Sequence, residues 1–300
     1  MRVFVTGASG CIGSAATAEL VSAGHQVTGL ARSPQSVAVV EGIGATALRG
    51  QLDDLESLRR GAAAADAVVH LANKHEWGNP EESNRTERAA VETMLEALDS
   101  TGGAFLVANG LSGLVEGRPA LESDASPAVG PDADRGGSEN LVLQHAGPGL
   151  RGMAIRFAPS VHGVGDWGFV NFLTAAARDK GVSGYLGDGS TRWAAVHRTD
   201  AARLIRLGVE QAPAGSRLHA VSEEGVTTRA IAEAIGESLG LPVTSVDPAD
   251  AAEHFGFVGH FFGLDMSASS EVTRALLDWH PTGPGLEADI RAGAYTGSAG

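Results

Sequence analysis

The chain has 300 residues, of which 22 are basic and 36 acidic, so its formal net charge is −14. A charge of this sign disfavours nucleic acid and anionic membrane surfaces as partners, and no apolar run approaches the roughly 20 residues that span a bilayer. The single cysteine, Cys11, excludes an internal disulfide bond and fits a reducing cytoplasm, where we expect the protein to act.

The chain begins with the pattern of a strand, a glycine-rich turn, a helix and a second strand. An apolar strand over 2–5 leads into a turn over 6–13, and helix-forming residues over 14–23 precede a second strand over 26–30. A glycine turn between a strand and a helix lets the backbone approach a pyrophosphate, whose charge then lies at the helix N-terminus. We therefore expect this turn to bind a dinucleotide through Gly7, Ser9, Gly10, Cys11, Ile12 and Gly13.

The three glycines of this turn have the spacing Gly-x-x-Gly-x-x-Gly. This spacing resembles the short-chain dehydrogenase/reductase superfamily, in particular its extended and atypical branches, in which the motif binds NAD(P). The resemblance implies an α/β fold with a doubly wound parallel Rossmann sheet and a smaller C-terminal α/β substrate lobe. We place 1–160 and a returning stretch, 190–212, in the NADP-binding domain, 161–189 and 213–295 in the lobe, and 296–300 in a disordered tail.

The end of the second strand indicates which nicotinamide cofactor is preferred. An acidic residue there would hold the ribose hydroxyls of NAD, whereas an arginine beside a serine can receive the 2′-phosphate of NADP. Here the strand is followed by Arg32 and Ser33, and no Asp or Glu occurs between Gly24 and Val40. We predict that NADP(H) is preferred, with NAD(H) as the alternative.

Later strand ends supply the other cofactor contacts that the resemblance implies. Strands are predicted over 45–48, 67–72 and 104–108, and ligands of open α/β sheets bind beyond the carboxyl ends of such strands. Gln51 stands where the family usually has an aspartate on the adenine amino group, and its amide can still hydrogen-bond an adenine edge. The remaining expected contacts are Leu52, Leu71, Ala72, Asn73, Ala108, Asn109, Pro159, Ser160 and Val161.

The loop after the fourth strand carries a candidate proton donor. His75 could supply a proton near neutral pH, and Trp77 could line a pocket for an apolar substrate. The alternative is a polar surface loop, because exposed loop residues of this kind are common. The resemblance also implies a catalytic hydroxyl at the end of the fifth strand, where Ser112 is the nearest one.

The catalytic signature of the superfamily is Tyr-x-x-x-Lys, and the stretch aligned with it differs. The chain has tyrosines only at 185 and 295, and Arg135 to Glu139 occupy the aligned positions. Arginine keeps its proton in proteins, so Arg135 cannot be a general acid, but it could polarise a carbonyl or hold a carboxylate. Glu139 could accept hydrogen bonds from ribose hydroxyls. An exposed ion pair between Arg135 and Glu139 is the alternative interpretation.

Two later segments each have two interpretations. A helix over 80–100 carries an apolar stripe, and in the extended branch the corresponding helix belongs to a homodimer interface; simple packing on the sheet is the alternative. The phenylalanine-rich stretch 251–264 is expected in the core of the lobe rather than in a substrate pocket.

The sequence thus predicts an NADP(H)-dependent oxidoreductase that passes a hydride to or from a small organic carbonyl, imine or activated alkene. His75 or an ordered water would replace tyrosine as the proton source, and Ser112 would orient the small-molecule substrate. Two alternatives stay open: a non-catalytic NADP(H) sensor that binds protein partners, and an enzyme of the sugar-nucleotide epimerase or dehydratase type. No metal site is expected, because no His, Cys and Asp cluster has metal-ligand spacing.

Overall fold

The computed structural model describes residues 1–74, 79–98 and 102–297. The strands are β1 (Arg2–Thr6), β2 (Gln26–Ala31), β3 (Thr46–Arg49), β4 (Ala67–His70), β5 (Ala104–Gly110), β6 (Arg151–Phe157), β7 (Ser160–His162), β8 (Ser183–Leu186), β9 (Arg192–His197), β10 (Arg217–Ala220), β11 (Glu223–Thr227) and β12 (Val243–Val246). The helices are α1 (Cys11–Ser22), α2 (Pro34–Gly42), α3 (Leu55–Ala63), α4 (Pro80–Leu98), α5 (Ser138–His145), α6 (Phe169–Lys180), α7 (Arg198–Gln211), α8 (Thr228–Leu239), α9 (Ala251–Phe255), α10 (Val258–Phe262), α11 (Glu271–Leu277) and α12 (Leu286–Arg291).

Seven strands form one parallel sheet in the order β10-β6-β5-β4-β1-β2-β3. The chain winds outward from β1 in both directions, so β1 and β4 are neighbours at the point where the strand order reverses. Ligands of doubly wound folds bind at this point, beyond the carboxyl ends of the strands. The predicted α/β fold with a doubly wound Rossmann sheet is confirmed.

The sheet is buried on both faces because its strands alternate apolar side chains between two layers of helices. Val5 and Val69 belong to the core beneath α1 and α7, whereas Phe4, Val68 and Phe105 belong to the core beneath α3 and α4. Continuous apolar strands of this kind are typical of parallel sheets covered by helices on both sides. The two layers fix the strand ends that form the site.

The smaller lobe is built from the second half of the chain. It contains a three-stranded sheet in the order β11-β9-β7 and the parallel pair β12-β8. Its core includes Trp193, Phe255 and Phe262, all buried, so the phenylalanine-rich stretch does contribute to the core as expected. Phe257, from the same stretch, is 44% exposed.

The division between the two parts differs at two strands from the expectation. We placed 190–212 in the NADP-binding domain, but β9 belongs to the three-stranded sheet of the lobe. We expected 213–295 to lie in the lobe, but β10 is the edge strand of the large sheet, where Leu218 pairs with Ile155 of β6. The strand joins this sheet because its apolar residues complete the core beneath α7. At the expected tail, Thr296 Oγ1 donates to Gly293 O at 2.9 Å, and 298–300 lie outside the described residues.

The long helix after β4 is confirmed as α4, and it packs against α3 and α5. Its buried residues include Ala90, Val91 and Met94 from the predicted apolar stripe. A homodimer formed through this helix stays a prediction. In the part of the chain that the structure describes, no helix is both long enough and apolar enough to cross a membrane.

Candidate active site

The glycine turn between β1 and α1 has no room for side chains at two of its three glycines. Gly7 has φ +70°, and a Cβ there would lie 2.9 Å from the backbone nitrogen of Ala72. A Cβ on Gly13 would lie 1.9 Å from the carbonyl oxygen of Gly7, so helix and turn are in direct backbone contact. Gly10 donates its N–H to the same oxygen at 2.9 Å and caps α1 without a side-chain hydrogen bond. The first N–H groups of α1 are thus available for an anion, which fits a pyrophosphate.

A cleft of about 370 Å³ extends from this turn across the carboxyl ends of β4, β5 and β6. It brings together most of the predicted site residues, although they come from distant parts of the sequence. The predicted residues that line it are Gly7, Gly10, Cys11, Ile12, Gly13, Leu71, Asn73, Ala108, Asn109, Arg135, Pro159 and Val161.

The remaining predicted cofactor residues lie around the cleft rather than on its wall. Ser160 is buried, and its Oγ has no hydrogen-bond partner among the described residues. Ala72 connects the end of β4 to β1, since its N–H donates to Thr6 Oγ1 at 3.2 Å. Ser9, in the turn, and Leu52, after β3, are partly buried and do not line the cleft.

Arg32, Ser33 and Gln51 lie at the ends of β2 and β3, at the other side of the glycine turn. Ala31 and Arg49 are paired across these two strands, so the residues that follow them are brought close together. Ser33 caps α2, since its Oγ accepts from Ser36 N at 3.1 Å. Arg32 and Gln51 are exposed. In a Rossmann fold this edge faces the adenosine half of the dinucleotide.

A chain of buried polar side chains connects β1 to Arg135 behind the cleft. Thr6 Oγ1 lies 2.7 Å from His70 Nδ1, and His70 Nε2 lies 3.3 Å from Glu87 Oε1. Arg135 Nη2 donates to the same Glu87 oxygen at 2.6 Å and to Ala72 O at 3.3 Å. Thr6, His70 and Glu87 are buried, whereas the Arg135 side chain is 21% exposed. The exposed part of Arg135 lines the cleft.

Glu87 is ionised in this arrangement despite its burial. Burial alone would raise the pKa of Glu87, but the positive charge of Arg135 and the neighbouring His70 outweigh it and lower the pKa to about 2. An ionised carboxylate that is only 2% exposed requires a partner at this distance. Glu87 therefore fixes the position of the Arg135 guanidinium.

The backbone of Arg135 is also specialised. Its φ of 51° is in the left-handed region, and Gly136 and Gly137 follow with φ of 59° and 62°. The turn is held by Asn84, whose Oδ1 accepts from Arg135 N at 3.0 Å. A Cβ on Gly136 would lie 2.5 Å from Asn84 O, so the glycine is required there. Non-glycine residues in this conformation store strain and concentrate at functional sites.

Two residues predicted to be catalytic do not line the cleft. Glu139 is buried, and it accepts from Asn109 Nδ2 at 2.7 Å and from Arg156 Nε at 3.1 Å. Its carboxylate is therefore used in holding β5 to β6, and its partners among the described residues do not include Arg135. Ser112 is exposed in the loop after β5. His75, the predicted proton donor, and Trp77 lie outside the described residues.

The structure adds an acidic residue that no motif indicated. Asp166 lines the cleft, and it accepts from Gly168 N at 2.7 Å and from Tyr295 Oη at 2.8 Å. Burial raises the pKa of Asp166 in spite of these two donors. Burial and the neighbouring Asp166 also raise the pKa of Tyr295, so this phenol does not take the place of a catalytic tyrosine. The sequence signal was limited to an acidic residue in a loop rich in glycine.

Cys11 behaves as a filler rather than a nucleophile. Its pKa is raised, mainly by burial and also by the charge of Asp166. A thiol with a raised pKa is poorly reactive at neutral pH.

Part of the cleft wall is aromatic, which the sequence did not predict. Trp167, Phe169, Phe172 and Phe257 form this part. Three of them come from the start of α6 and the loop before it, and Phe257 comes from the segment between α9 and α10. The periodicity of apolar residues in a helix does not show whether an aromatic side chain lines a pocket or is packed in the core.

Comparison with known proteins gives relatives over the whole chain. Residues 3–128 match the NAD dependent epimerase/dehydratase family. An uncharacterized protein of Saccharomyces cerevisiae, YLL056C, is 43% identical over 298 residues, covering 97% of this chain and 98% of that protein. An uncharacterized protein of Schizosaccharomyces pombe, C2A9.02, is 40% identical over 295 residues, covering 98% and 100%.

More distant similarities reach enzymes. The 4-hydroxy-2-methyl-3-oxo-4-farnesyl-3,4-dihydroquinoline-1-oxide ketoreductase of Stigmatella aurantiaca is 28% identical over 268 residues, covering 85% of this chain and 80% of that protein. Among solved structures, DesIV, the dTDP-glucose 4,6-dehydratase of Streptomyces venezuelae with NAD and TYD bound, is similar with a TM-score of 0.78. It is 21% identical and covers 98% of this chain and 96% of that chain, so this similarity bears on the fold.

Proposed function

Since the chain belongs to the NAD dependent epimerase/dehydratase family, we propose that it is an NADP(H)-dependent oxidoreductase acting on a small organic carbonyl, imine or activated alkene. One observation carries the proposal. The cleft is lined by the glycine turn, by aromatic side chains and by an arginine whose position is fixed by a buried carboxylate. The similarity to a ketoreductase supports reduction as the reaction class.

The glycine turn and the strand ends fit the dinucleotide. The N–H groups at the start of α1 would hold the pyrophosphate, and Pro159 to Val161 and Asn109 would border the nicotinamide half. Arg32 at the end of β2 would bind the 2′-phosphate, with α2 beginning directly after Ser33. This arrangement supports NADP(H) over NAD(H).

When bound, the reduced cofactor would supply a hydride to the electrophilic carbon, and a proton would be added to the carbonyl oxygen, to the imine nitrogen or, for an activated alkene, to the α-carbon. Arg135 would donate a hydrogen bond to the oxygen or nitrogen on which negative charge develops and stabilise that charge. Glu87 would hold the guanidinium in place through the 2.6 Å contact. Arginine does not give up its proton, so the proton comes from another group.

We propose His75 as that group, because it follows the end of β4 by a few residues and imidazole exchanges protons near neutral pH. A water in the cleft is the alternative donor. Ser112 and Glu139 have no part in the proposal, since the first is exposed outside the cleft and the second is bound by Asn109 and Arg156.

The test is consumption of NADPH by the purified protein with a panel of ketones, imines and activated alkenes. We expect turnover with at least one substrate, and a loss of that turnover in Arg135→Met while NADPH still binds. Binding of NADPH without turnover of any substrate would favour the non-catalytic sensor. Interconversion of sugar nucleotides without net consumption of NADPH would favour an epimerase.

A further inference from the structure

Exposed aromatic side chains are concentrated at one place in this protein. Among the described residues, the Phe and Trp side chains with large exposure are Trp167 at 53%, Phe257 at 44% and Phe172 at 40%. All three line the cleft that contains the glycine turn and Arg135. An aromatic ring gains much stability from burial, so a cluster of exposed rings marks a surface that binds something apolar.

These rings form a wall with defined geometry. The rings of Phe172 and Phe257 meet edge to face, with centroids 4.8 Å apart and planes at 80°. Behind them Phe169 is stacked on Phe261, with centroids 4.9 Å apart and planes at 27°. Val170, next to Phe169 on α6, is fully buried in the lobe core and anchors that helix. The wall is thus held by the lobe core before any ligand arrives.

The described wall of the cleft carries few charged side chains. Of the described residues on its wall, the charged ones are Arg135 and Asp166. Arg135 is already paired with Glu87 at 2.6 Å, and Asp166 has an acidic side chain. A diphosphate is usually held by several arginines or lysines, and among the described residues the wall of the cleft carries one such residue, Arg135.

We propose that the cleft accepts a neutral substrate with a flat, aromatic or conjugated body, which lies against Phe172 and Phe257 with its reducible group toward Arg135. This inference rests on the function proposed above and specifies its substrate class. Offset stacking and edge-to-face contacts favour flat rings over saturated ones of equal size. The alternative occupant, a sugar nucleotide, has both a polar body and two negative charges.

Binding is measured by calorimetry on the full chain saturated with NADP⁺, so that hydride transfer to the ligand does not occur. The probes are methyl naphthyl ketone, its fully saturated analogue and UDP-glucose. We expect the aromatic ketone to bind about tenfold more tightly than the saturated one, and UDP-glucose to bind more weakly than either. Phe172→Ala and Phe257→Ala should each weaken binding of the aromatic ketone about tenfold.

Leu276→Ala is the matched control, because Leu276 is 43% exposed on α11 and does not line the cleft. It should leave binding of the ketone unchanged. Tighter binding of UDP-glucose, equal binding of the two ketones, or no effect of the phenylalanine variants would overturn the inference. Binding of the aromatic ketone without its reduction by NADPH would count against the proposed oxidoreductase function. It would still support the inference that the cleft binds flat aromatic ligands.

Discussion

Arg135 and Glu87 form an ion pair of 2.6 Å between a residue at the cleft wall and a carboxylate that is 2% exposed. The pair connects the turn before α5 to the buried face of α4, and Glu87 also lies 3.3 Å from His70 of β4. Breaking such a pair by removing one partner is costly, because the other charge stays buried. The position of Arg135 is therefore set by the core of the protein rather than by the loop that carries it.

Glu87→Gln should destabilise the protein strongly at neutral pH. The pKa of Glu87 is lowered from 4.5 to about 2, which at about 1.4 kcal/mol per pKa unit corresponds to a contribution on the order of 3 kcal/mol. Glu233→Gln is the control: Glu233 pairs with Arg229 at 2.8 Å but is 48% exposed, so this change should cost below about 1 kcal/mol. Urea denaturation at pH 7 measures both.

The same pair gives a pH dependence with a definite sign. Because the folded-state pKa of Glu87 lies below the ordinary value of 4.5, its contribution is fully present above about pH 4.5 and is lost as the pH falls toward 2. The difference in free energy of unfolding between wild type and Glu87→Gln should thus be constant from pH 7 to 5 and shrink below that range. A difference that grows on acidification would refute the assignment of an ionised Glu87.

Arg135→Met should lower turnover about a hundredfold with little change in the Kd for NADPH. The guanidinium is expected to act on the developing charge of the substrate, whereas the dinucleotide is held mainly by the glycine turn. Arg229→Met, at a 56% exposed arginine of the lobe, is the control and should behave as wild type. Steady-state kinetics and calorimetry separate the two effects, and unchanged turnover in Arg135→Met would exclude the proposed role.

Gly13→Ala should abolish NADPH binding and lower stability. The new Cβ would lie 1.9 Å from the carbonyl oxygen of Gly7, so α1 would have to move away from the turn. Gly42→Ala is the matched control on α2, since its Cβ would meet nothing within 4 Å. Thermal denaturation with and without NADPH should show stabilisation by the cofactor in wild type and Gly42→Ala only. Cofactor stabilisation of Gly13→Ala would contradict the described turn.

Arg32→Ala tests the choice of cofactor. We expect a Kd for NADPH that is raised about tenfold or more, with the Kd for NADH unchanged, because the lost contact is to the 2′-phosphate. Arg59→Ala is the control: it removes a 49% exposed arginine of α3 and should change neither the Kd for NADPH nor the Kd for NADH. Equal loss of affinity for both cofactors would indicate a structural role for Arg32.

His75→Ala tests the proton donor. If His75 supplies the proton, the variant has a lower turnover than the wild type. The change in turnover with pH near neutrality, which the wild type should show, is then lost in the variant. NADPH affinity should be retained. Wild-type turnover in this variant would leave a water as the donor.

The sequence was most informative where function depends on local backbone chemistry. Gly7 is required by its φ of +70° and Gly13 by its contact with the carbonyl oxygen of Gly7, so the spacing within one strand-turn-helix unit was sufficient to predict the cofactor turn. Glu87 was not identified, because a charge within an amphipathic helix is normally assigned to the solvent face. Its burial depends on His70 and Arg135, which are distant in sequence.

Contacts between residues that are distant in sequence also explain why the positions of Glu139 and Phe257 were not predicted. Alignment with the family signature placed Glu139 near the cofactor. In the structure Glu139 binds Arg156 of β6, and the sequence around Glu139 does not indicate this contact. Phe257 belongs to a phenylalanine-rich run in which Phe255 and Phe262 are buried. Which ring of such a run faces a cleft depends on how the two short helices α9 and α10 are joined.

The most direct measurement is a crystal structure of the protein with NADPH and an aromatic ketone analogue that is not reduced. We predict that the nicotinamide lies between Asn109 and Pro159 to Val161, with its hydride-bearing face open to the analogue. A guanidinium nitrogen of Arg135 should then lie within about 3.2 Å of the analogue's oxygen. A nicotinamide face covered by protein, or an Arg135 directed away from the ring and toward solvent, would exclude hydride transfer assisted by Arg135.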